Sequence, residues 1–339
     1  MTIREAIDLL VSHGRSLSED EAAAVMRDIM TGEATPAQVG AFLVALRLKG
    51  ETVDEVVGMA RVMREHALKV PMAEALVDTC GTGGDASGTF NVSTAAAFVV
   101  AGAGGRVAKH GNRAMTSACG SADVLEALGA KIDLGPEQVA TCLREVGFGF
   151  MFAQAFHPAM KHVAGPRREI GVRTVFNVLG PLVNPAGAAH QLLGVARAEL
   201  APLMAEALGR LGTRHALVVH GHGGLDELSL SGPSAVHELR DGRLREYSVS
   251  PQEVGLSPAP DESVLGGSPE ENAAALRAVL DGQAGPLRDI TLLNAAAALV
   301  AADLADDLKG GVALAVRAVD SGAAREKLDA FVALTRSLA

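Results

Sequence analysis

A glycine-rich stretch after a short apolar run is the first part of the sequence whose residue types could do chemistry. Residues 75–77 predict the end of a strand, and Thr94–Val100 predicts the start of a helix. Four glycines fall within eight positions between them, at Gly81, Gly83, Gly84 and Gly88. Glycine lets backbone N–H groups approach an anion, and a helix N-terminus adds unpaired donors. The stretch favours a phosphate-binding loop, although it matches neither the P-loop nor the dinucleotide-binding pattern, and a ligand-free turn is the alternative.

A basic segment follows the next predicted strand, which lies around Arg106–Ala108. Lys109 and Arg113 flank a glycine, and the hydroxyls of Thr116 and Ser117 come shortly before a predicted helix. An ammonium group, a guanidinium fork and neighbouring donors suit an anionic ligand rich in oxygen. The carboxyl ends of parallel strands meet at one edge of a sheet, so we expect both segments to lie at the same site. A solvated turn with incidental charges is the alternative.

Two adjacent carboxylates, Asp226 and Glu227, follow a predicted buried strand at Ala216–His220 and a glycine-rich loop. Hard carboxylate oxygens beside phosphate-binding loops favour Mg2+, whereas an exposed acidic turn is the commoner role of such a pair. His220 and His222 are poor ligands for Mg2+, and we interpret them as structural or incidental.

A further candidate lies in the segment from His157 to Glu169. Arg167 or Arg168 could bind a carboxylate through two parallel N–H donors. Their spacing does not distinguish the two arginines, and a charge cluster at a helix start explains it equally well.

The elements that must position these residues change in kind near residue 70. Residues 3–70 predict successive helices, with helix starts at Ser18, Thr35 and Thr52. From residue 73, strands and helices alternate, which predicts an α/β domain with a mostly parallel sheet. Residues 136–182 predict helices again, interrupted at His157-Pro158 and Gly165-Pro166. Other predicted helices begin at Ser93 and cover residues 122–128, 199–211, 269–280, 287–303, 308–321 and 323–337, and further strands lie near 236–239 and 245–249.

Composition limits the class of protein. The chain has 339 residues, enough for roughly two domains. No apolar run reaches the roughly 18 residues of a membrane-spanning helix, and the N-terminal residues are charged where a signal peptide needs an apolar segment. Cys80, Cys119 and Cys142 lack metal-ligand spacing and suit a reducing compartment. We therefore expect a cytoplasmic enzyme that does not associate with membranes.

The charge balance opposes a nucleic-acid partner. A net charge of −10 disfavours binding that depends on neutralising phosphates with Lys and Arg. Nine Phe, one Tyr and no Trp also leave few side chains for stacking against bases. Any phosphate must therefore be held by local groups.

Together these motifs resemble one family, the anthranilate phosphoribosyltransferases, over nearly the whole chain. The resemblance is carried by Gly81–Asp85 with Asn91–Thr94, Lys109–Ser117 with Gly120–Asp123, His157–Arg168, Asn177–Pro185 and Leu225–Glu227. It implies the nucleoside-phosphorylase-like transferase fold, with a small all-helical domain and a larger α/β domain. Residues 1–70, joined by helices from about 155–182, would form the helical domain, and residues 73–154 and 183–339 the α/β domain. A homodimer with the active site at the hinge between the domains is also implied.

The resemblance further implies a reaction. The 5-phosphoribosyl group of 5-phosphoribosyl 1-diphosphate (PRPP) would be transferred to the amine of anthranilate with release of diphosphate, the second step of tryptophan synthesis from chorismate. Mg2+ would be the cofactor, with two ions in each active site. Stabilising the leaving diphosphate would matter most, and the aromatic amine needs positioning rather than a dedicated general base.

Site residues are implied position by position. PRPP would be bound by Gly81, Gly84, Asp85, Thr89, Asn91, Val92, Ser93, Thr94, Lys109, His110, Gly111, Asn112, Arg113, Ala114, Met115, Thr116, Ser117 and Ser121. The metal ligands would be Ser93, Asp226 and Glu227. Anthranilate would contact Gly81, Asn112 and Arg167, which favours Arg167 over Arg168. The catalytic residues would be Lys109, Asn112 and Arg167.

Two segments depart from the family pattern, Ala118-Cys119 and Gln154-Ala155-Phe156. Neither removes an implied ligand, so the departures concern fine geometry rather than the reaction. Two alternatives share the scaffold. A pyrimidine nucleoside phosphorylase would not need the acidic metal pair, and a non-catalytic relative that binds nucleic acid is opposed by the negative net charge.

Overall fold

Four helices form the N-terminal part of the protein, whose computed structural model describes residues 1–114 and 118–338. They are α1 (Ile3–His13), α2 (Glu19–Thr31), α3 (Pro36–Lys49) and α4 (Val53–His66). Each begins with a capping box, in which a hydroxyl residue and a Glu or Gln three positions later satisfy each other's backbone N–H groups. The predicted helix starts at Ser18, Thr35 and Thr52 are confirmed.

One sheet of seven strands forms the centre of the rest of the described chain. The strands are β1 (Val77–Gly81), β2 (Val107–Gly111), β3 (Phe148–Phe152), β4 (His190–Gly194), β5 (His215–His220), β6 (Ser234–Arg240) and β7 (Arg243–Val249). Their order is β3-β2-β1-β4-β5-β6-β7. The first five strands in this order pair in parallel, and β6 and β7 are antiparallel. This agrees with the predicted mostly parallel sheet.

Helices cover both faces of the sheet. They are α5 (Val92–Gly102), α6 (Ser121–Ala127), α7 (Pro136–Glu145), α8 (Ala153–Phe156), α9 (Lys161–Ile170), α10 (Phe176–Leu179), α11 (Leu200–Arg210), α12 (Pro269–Leu280), α13 (Pro286–Ala301), α14 (Leu308–Asp320) and α15 (Ala323–Leu338). No helix within residues 1–114 and 118–338 combines the length and apolar character needed to cross a membrane.

Two strands were not predicted. β3 lies within residues 136–182, where the sequence predicted helices, and β4 follows a loop in which no element was predicted. Every residue of both strands is buried, so neither shows the alternation that reveals a half-exposed strand. The predicted break at Gly165-Pro166 is also wrong, because α9 continues through Pro166.

The first two strands extend further than predicted. β1 runs to Gly81 rather than ending at Val77, and β2 runs to Gly111 rather than ending at Ala108. Parallel pairing explains the difference, since β1 stays in register with β4 from Val77 opposite His190 to Gly81 opposite Gly194. Residues expected in loops, including Lys109, therefore lie on strands at the core of the site.

The sheet separates two apolar cores. Alternate residues of β5 take part in different cores, with Ala216 and Val218 on one face and Leu217 and Val219 on the other. The first core joins the N-terminal helices to α9, α10 and α11, and α9 packs against α2 and α3. The second joins α5 and the four C-terminal helices. The domain boundaries at residues 70, 154 and 183 stay predictions.

A cluster of charged side chains links the neighbouring strands β5 and β6. His215 is buried, with Nδ1 2.9 Å from Asp303 Oδ1 and Nε2 3.2 Å from Glu238 Oε1. Arg245 also donates to Glu238 at 2.7 Å. These hydrogen bonds, first of all the one from His215, lower the pKa of Glu238 to about 2.

We expect Glu238→Gln to lower the free energy of unfolding by about 1 kcal/mol at pH 7, because hydrogen bonds to a charged group become neutral ones. The pKa of Glu238 is below its unfolded value of 4.5, so its contribution is present above that pH and is lost as pH falls through about 2. Urea unfolding should show the difference from the native sequence shrinking over this window. Glu246→Gln, at a mostly exposed position of β7, is the control, and equal effects would contradict the assignment.

Candidate active site

The predicted site residues converge where four neighbouring parallel strands end. Gly111, Gly81, Gly194 and His220 are the last residues of β2, β1, β4 and β5. Ligands in open α/β sheets bind outside this edge. The glycine-rich stretch, the basic segment and the acidic pair all begin there, as the sequence predicted.

Asp226 lies directly across the ends of β1 and β4. A Cβ atom at Gly81 would overlap the carboxylate of Asp226, and one at Gly194 would overlap its backbone carbonyl. The backbone N–H of Gly83 donates to Asp226 Oδ2 at 2.7 Å. Two glycines paired across the sheet thus make room for one residue, Asp226. The role of Gly194 was not predicted because nothing in its local sequence indicates it.

Three carboxylates face one another at this point. Desolvation, followed by the charge of Asp85, raises the pKa of Asp226 to about 7. Desolvation and the charge of Asp226 raise the pKa of Glu227 well above its usual range. Both side chains keep part of their surface exposed while lying deep among protein atoms. Crowded carboxylates of this kind are stabilised by a cation, and hard oxygen donors suit a divalent ion such as Mg2+.

Lys109 lies beneath the acidic pair and is buried, not exposed in a loop. Its ammonium group donates to the carbonyl of Thr79 and, at 3.1 Å, to Ser93 Oγ. Burial lowers the pKa of Lys109, while the charges of Asp78 and Glu227 oppose that shift. Lys109 therefore hydrogen-bonds to the predicted metal ligand Ser93 and interacts electrostatically with Asp78 and Glu227.

Asp78 and Asn184 form buried hydrogen bonds with the backbone of β2, the strand that carries Lys109. Asn184 Nδ2 donates to Asp78 Oδ2 at 2.8 Å and to the carbonyl of Ala108 at 2.9 Å, and the N–H of His110 donates to Asp78 Oδ1 at 3.2 Å. Neither residue was among the predicted site residues. A charged residue inside a buried strand was the available signal for Asp78.

Four of the predicted PRPP residues, Asn91–Thr94, lie at the start of α5. Asn91 precedes the first residue of the helix, and its side chain donates to the carbonyl of Cys119 at 3.1 Å. Thr94 Oγ1 is buried and has no hydrogen-bond partner among the described residues. In the preceding loop, Asp85 accepts from Ser87 Oγ at 2.6 Å, and Thr89 forms a bridge with Leu265. This helix N-terminus can stabilise an anion.

The basic segment divides its residues between different partners. Ser121 Oγ occupies the space where Gly111 lacks a side chain, and it donates to the carbonyl of Asn112 at 3.3 Å. The guanidinium of Arg113 is paired with Asp123 and Glu126, which raise its pKa, and the N–H of Ala114 donates to Asp123 at 2.9 Å. Met115, Thr116 and Ser117 lie outside the described residues.

A cavity of about 610 Å³ adjoins the strand ends. Gly81, Asn112 and Arg167 line it, and Arg168 does not. The guanidinium of Arg167 lies over the ring of Phe176, 5.2 Å from its centre, and burial lowers its pKa. The structure thus brings together the three residues that the family resemblance linked to anthranilate, and their roles stay predictions.

Two neutral histidines form part of the same wall. The ring centres of His110 and His157 are 5.0 Å apart, and each Nε2 is buried without a hydrogen-bond partner in the described part of the chain. Burial, helped by the neighbouring His157, lowers the pKa of His110 to about 3, and burial lowers that of His157 to about 4. His110, predicted to bind PRPP, lines the cavity that contains Arg167.

A second group of possible metal ligands lies elsewhere. His190, His215 and Asp303 bring potential ligand atoms within 4.8 Å of one another. These atoms already have partners, since His190 Nδ1 is 2.7 Å from the carbonyl of Ala301 and Asp303 also accepts from Arg240 at 3.1 Å. We interpret this group as an ion-pair cluster.

The chain matches two family models in succession. Residues 4–67 match the helical bundle domain of a glycosyl transferase family, and residues 73–325 match its a/b domain. The chain therefore has the two domains of this glycosyl transferase family.

Similar proteins narrow this class. The chain is 59% identical to the anthranilate phosphoribosyltransferase of Chloroflexus aurantiacus, with 99% of each chain covered. It superposes on the Thermus thermophilus enzyme with a TM-score of 0.93 at 50% identity, covering 98% of this chain and 99% of the other. The Saccharomyces cerevisiae enzyme in complex with PRPP and Mg gives a TM-score of 0.91 at 29% identity, covering 99% and 98%. The same yeast enzyme in complex with 4-fluoroanthranilate gives 0.89 at 29% identity, with the same coverage.

The chain belongs to the anthranilate phosphoribosyltransferase family. The resemblance seen in the sequence, the predicted fold class and the predicted enzyme class are thereby confirmed. Identity at this level over the whole chain disfavours both alternatives, the nucleoside phosphorylase and the nucleic-acid-binding relative.

We expect Gly194→Ala to lower the free energy of unfolding by about 3 kcal/mol, because the new methyl group meets the backbone of Asp226, which cannot move aside as a side chain can. Gly81→Ala should cost less, since the obstacle there is chiefly a carboxylate. Urea unfolding would measure both. Gly165→Ala is the control, because nothing lies within 4 Å of its Cβ position, and a Gly194 variant as stable as this control would contradict the packing argument.

Proposed function

We propose that the protein transfers the 5-phosphoribosyl group of PRPP to the amine of anthranilate and releases diphosphate, the second step of tryptophan synthesis from chorismate. One observation supports this most directly. Gly81 lies against Asp226 on the side of the carboxylates and also lines the cavity that contains Arg167. A donor site and an acceptor site therefore meet at a single residue.

PRPP binds on the side of the glycine-rich stretch and α5. Its anionic groups accept hydrogen bonds from the loop backbone and from the N-terminus of α5. Lys109 stabilises charge on the departing diphosphate and keeps Ser93 Oγ oriented. Of the predicted PRPP residues, Arg113 acts through its backbone while its guanidinium remains paired with α6.

Ser93, Asp226 and Glu227 hold Mg2+, with two ions in each site. The raised pKa values of both carboxylates support this assignment, because a cation relieves the repulsion that raises them. When bound, Mg2+ neutralises the charge that develops on the diphosphate oxygens as the bond to the ribose breaks. Asp85 lies close enough to Asp226 for its negative charge to raise the pKa of Asp226, and it adds to the negative potential at the proposed metal site.

Anthranilate binds in the cavity beside Gly81. Arg167 pairs with its carboxylate, and Asn112 orients the amine toward the anomeric carbon of the ribose. His110 and His157 stay neutral and supply flat, weakly polar walls for the aromatic ring. An aromatic amine is largely unprotonated at neutral pH, so no group of the cavity has to remove a proton before attack.

The working unit we propose is a cytoplasmic homodimer. Val11 on α1 and Val44 and Leu48 on α3 are exposed apolar residues of neighbouring helices. Such a surface is suited to a second copy of the chain.

We expect the fluorescence of anthranilate to fall when the protein is mixed with Mg2+, PRPP and anthranilate. The double variant Asp226→Asn with Glu227→Gln should lower turnover by at least about 100-fold. It should also raise the Mg2+ concentration that gives the half-maximal rate. Loss of two of the metal's anionic ligands is the physical reason. Glu253→Gln, at an exposed turn, is the matched control. An unchanged Mg2+ requirement would remove the metal assignment, and no fluorescence loss with folded native protein would overturn the function.

We expect Arg167→Ala to raise the KM for anthranilate by about tenfold or more and to leave the KM for PRPP within about twofold, because the lost ion pair belongs to the acceptor. Arg168→Ala changes the neighbouring arginine outside the cavity and should alter neither constant. Steady-state kinetics with each substrate varied would show the contrast. An effect confined to PRPP would contradict the role of Arg167.

A further inference from the structure

Arg173 reaches the glycine-rich loop from the other side of the site. It lies in the connection between α9 and α10, at residues 171–175. Its Nη2 donates to the carbonyl of Gly83 at 2.6 Å and lies 3.4 Å from the carbonyl of Thr82. Hydrogen bonds from a guanidinium to a carbonyl are charge-assisted and stronger than neutral ones. Arg173 was not among the residues that the sequence indicated.

The space for this contact exists because residue 84 is glycine. A Cβ atom at Gly84 would overlap Nη1 of Arg173, and the backbone of Gly84 also has a φ of 75°. Glycine at this position therefore satisfies two constraints, since the left-handed conformation is strained for other residues and the guanidinium occupies the place of a side chain.

The same loop is fixed on its opposite face by groups of the sheet. Gly83 N donates to Asp226 at 2.7 Å, and Thr82 N donates to the carbonyl of Gly194 at 2.9 Å. The Thr82–Gly83 peptide thus has its N–H bonded to Asp226 and its C=O turned toward Arg173. In a trans peptide the C=O and N–H point in opposite directions, so the bond from Arg173 to the Gly83 carbonyl turns the Gly84 N–H away from the arginine.

We propose that Arg173 is a positioning residue that holds the glycine-rich loop in the conformation that binds the diphosphate of PRPP; this rests on the function proposed above. Arg173 acts through the loop and does not touch the substrate. By binding the carbonyl oxygens of Thr82 and Gly83, it keeps their partial negative charges away from the anion and leaves the N–H of Gly84 on the binding side. Because Arg173 follows α9, which carries Arg167, its hydrogen bond to Gly83 also joins the segment proposed to bind anthranilate to the loop proposed to bind PRPP.

Three variants test this role. Arg173→Met removes the donors while keeping an extended side chain, and Arg173→Lys restores one point charge without the planar fork. Arg197→Met is the matched control, because Arg197 lines the same recess beside the loop but is paired with Glu199 at 3.5 Å. Urea unfolding checks that all three fold, and Arg173→Lys carries the test if the Met variant does not.

The first measurement is hydrogen exchange of residues 82–88 in protein without substrates. Arg173→Met should accelerate exchange in this segment by about tenfold, Arg173→Lys by less, and Arg197→Met should leave it unchanged. The second is calorimetric binding of inorganic diphosphate with Mg2+, which Arg173→Met should weaken by about tenfold. In steady-state kinetics, the KM for PRPP should rise by a similar factor, with the KM for anthranilate within about twofold.

Unchanged loop exchange, unchanged diphosphate affinity or an effect on anthranilate alone would each overturn the role of Arg173. Failure of the proposed function would look different. Native protein would then show no transfer, while the contrast between Arg173→Met and Arg197→Met in exchange and diphosphate binding would persist and support the positioning role.

Discussion

The burial of opposite charges on β1, on β2 and in the loop after β5 is the constraint on which the rest of the site depends. Asp78 and Lys109 lie on adjacent strands, and Glu227 interacts with the same ammonium group. Desolvation opposes the charged form of each of these three groups and of Asp226, so the cluster is stable only if every charge has a partner. Lys109 partly balances the carboxylates, and the Mg2+ proposed for this site would add further positive charge.

This constraint explains why Lys109 lies on a strand rather than in a loop. A lysine in a solvated turn would sample many rotamers, whereas Lys109 is held in β2 by packing and by bonds to Thr79 and Ser93. The parallel register fixes the relative heights of Gly81 and Gly194, and only the absence of two side chains lets Asp226 cross both strands. Strand pairing therefore fixes the positions of Lys109, Gly81 and Gly194, against which the loop residue Asp226 packs.

Locally encoded features could be predicted from the sequence, and long-range ones could not. The capping boxes at Ser18, Thr35 and Thr52 depend on residues three positions apart, and those helix starts were predicted correctly. β3 and β4 were missed because strands buried on both faces have no alternation. The acidic pair and the glycine-rich stretch were found from their residue types. Asp78, Asn184 and Arg173 act through hydrogen bonds with residues about 90 or more positions away, and Gly194 acts through its contact with Asp226. Apart from the charge of Asp78 within a buried strand, no local pattern indicates such contacts.

The proposed PRPP side and the neighbouring cavity carry side chains of opposite charge, and this difference favours an acceptor that is an anion. The donor side concentrates carboxylates for a cation, whereas the described residues that line the neighbouring cavity include the cations Lys161 and Arg167 and no carboxylate. His110 and His157 add no charge at neutral pH because burial keeps their pKa values low. A ligand with one carboxylate and an uncharged aromatic ring suits such a cavity, whereas an ammonium group would find no partner there. Helix geometry explains why Arg167 lines the cavity and Arg168 does not, since successive residues on α9 point about 100° apart.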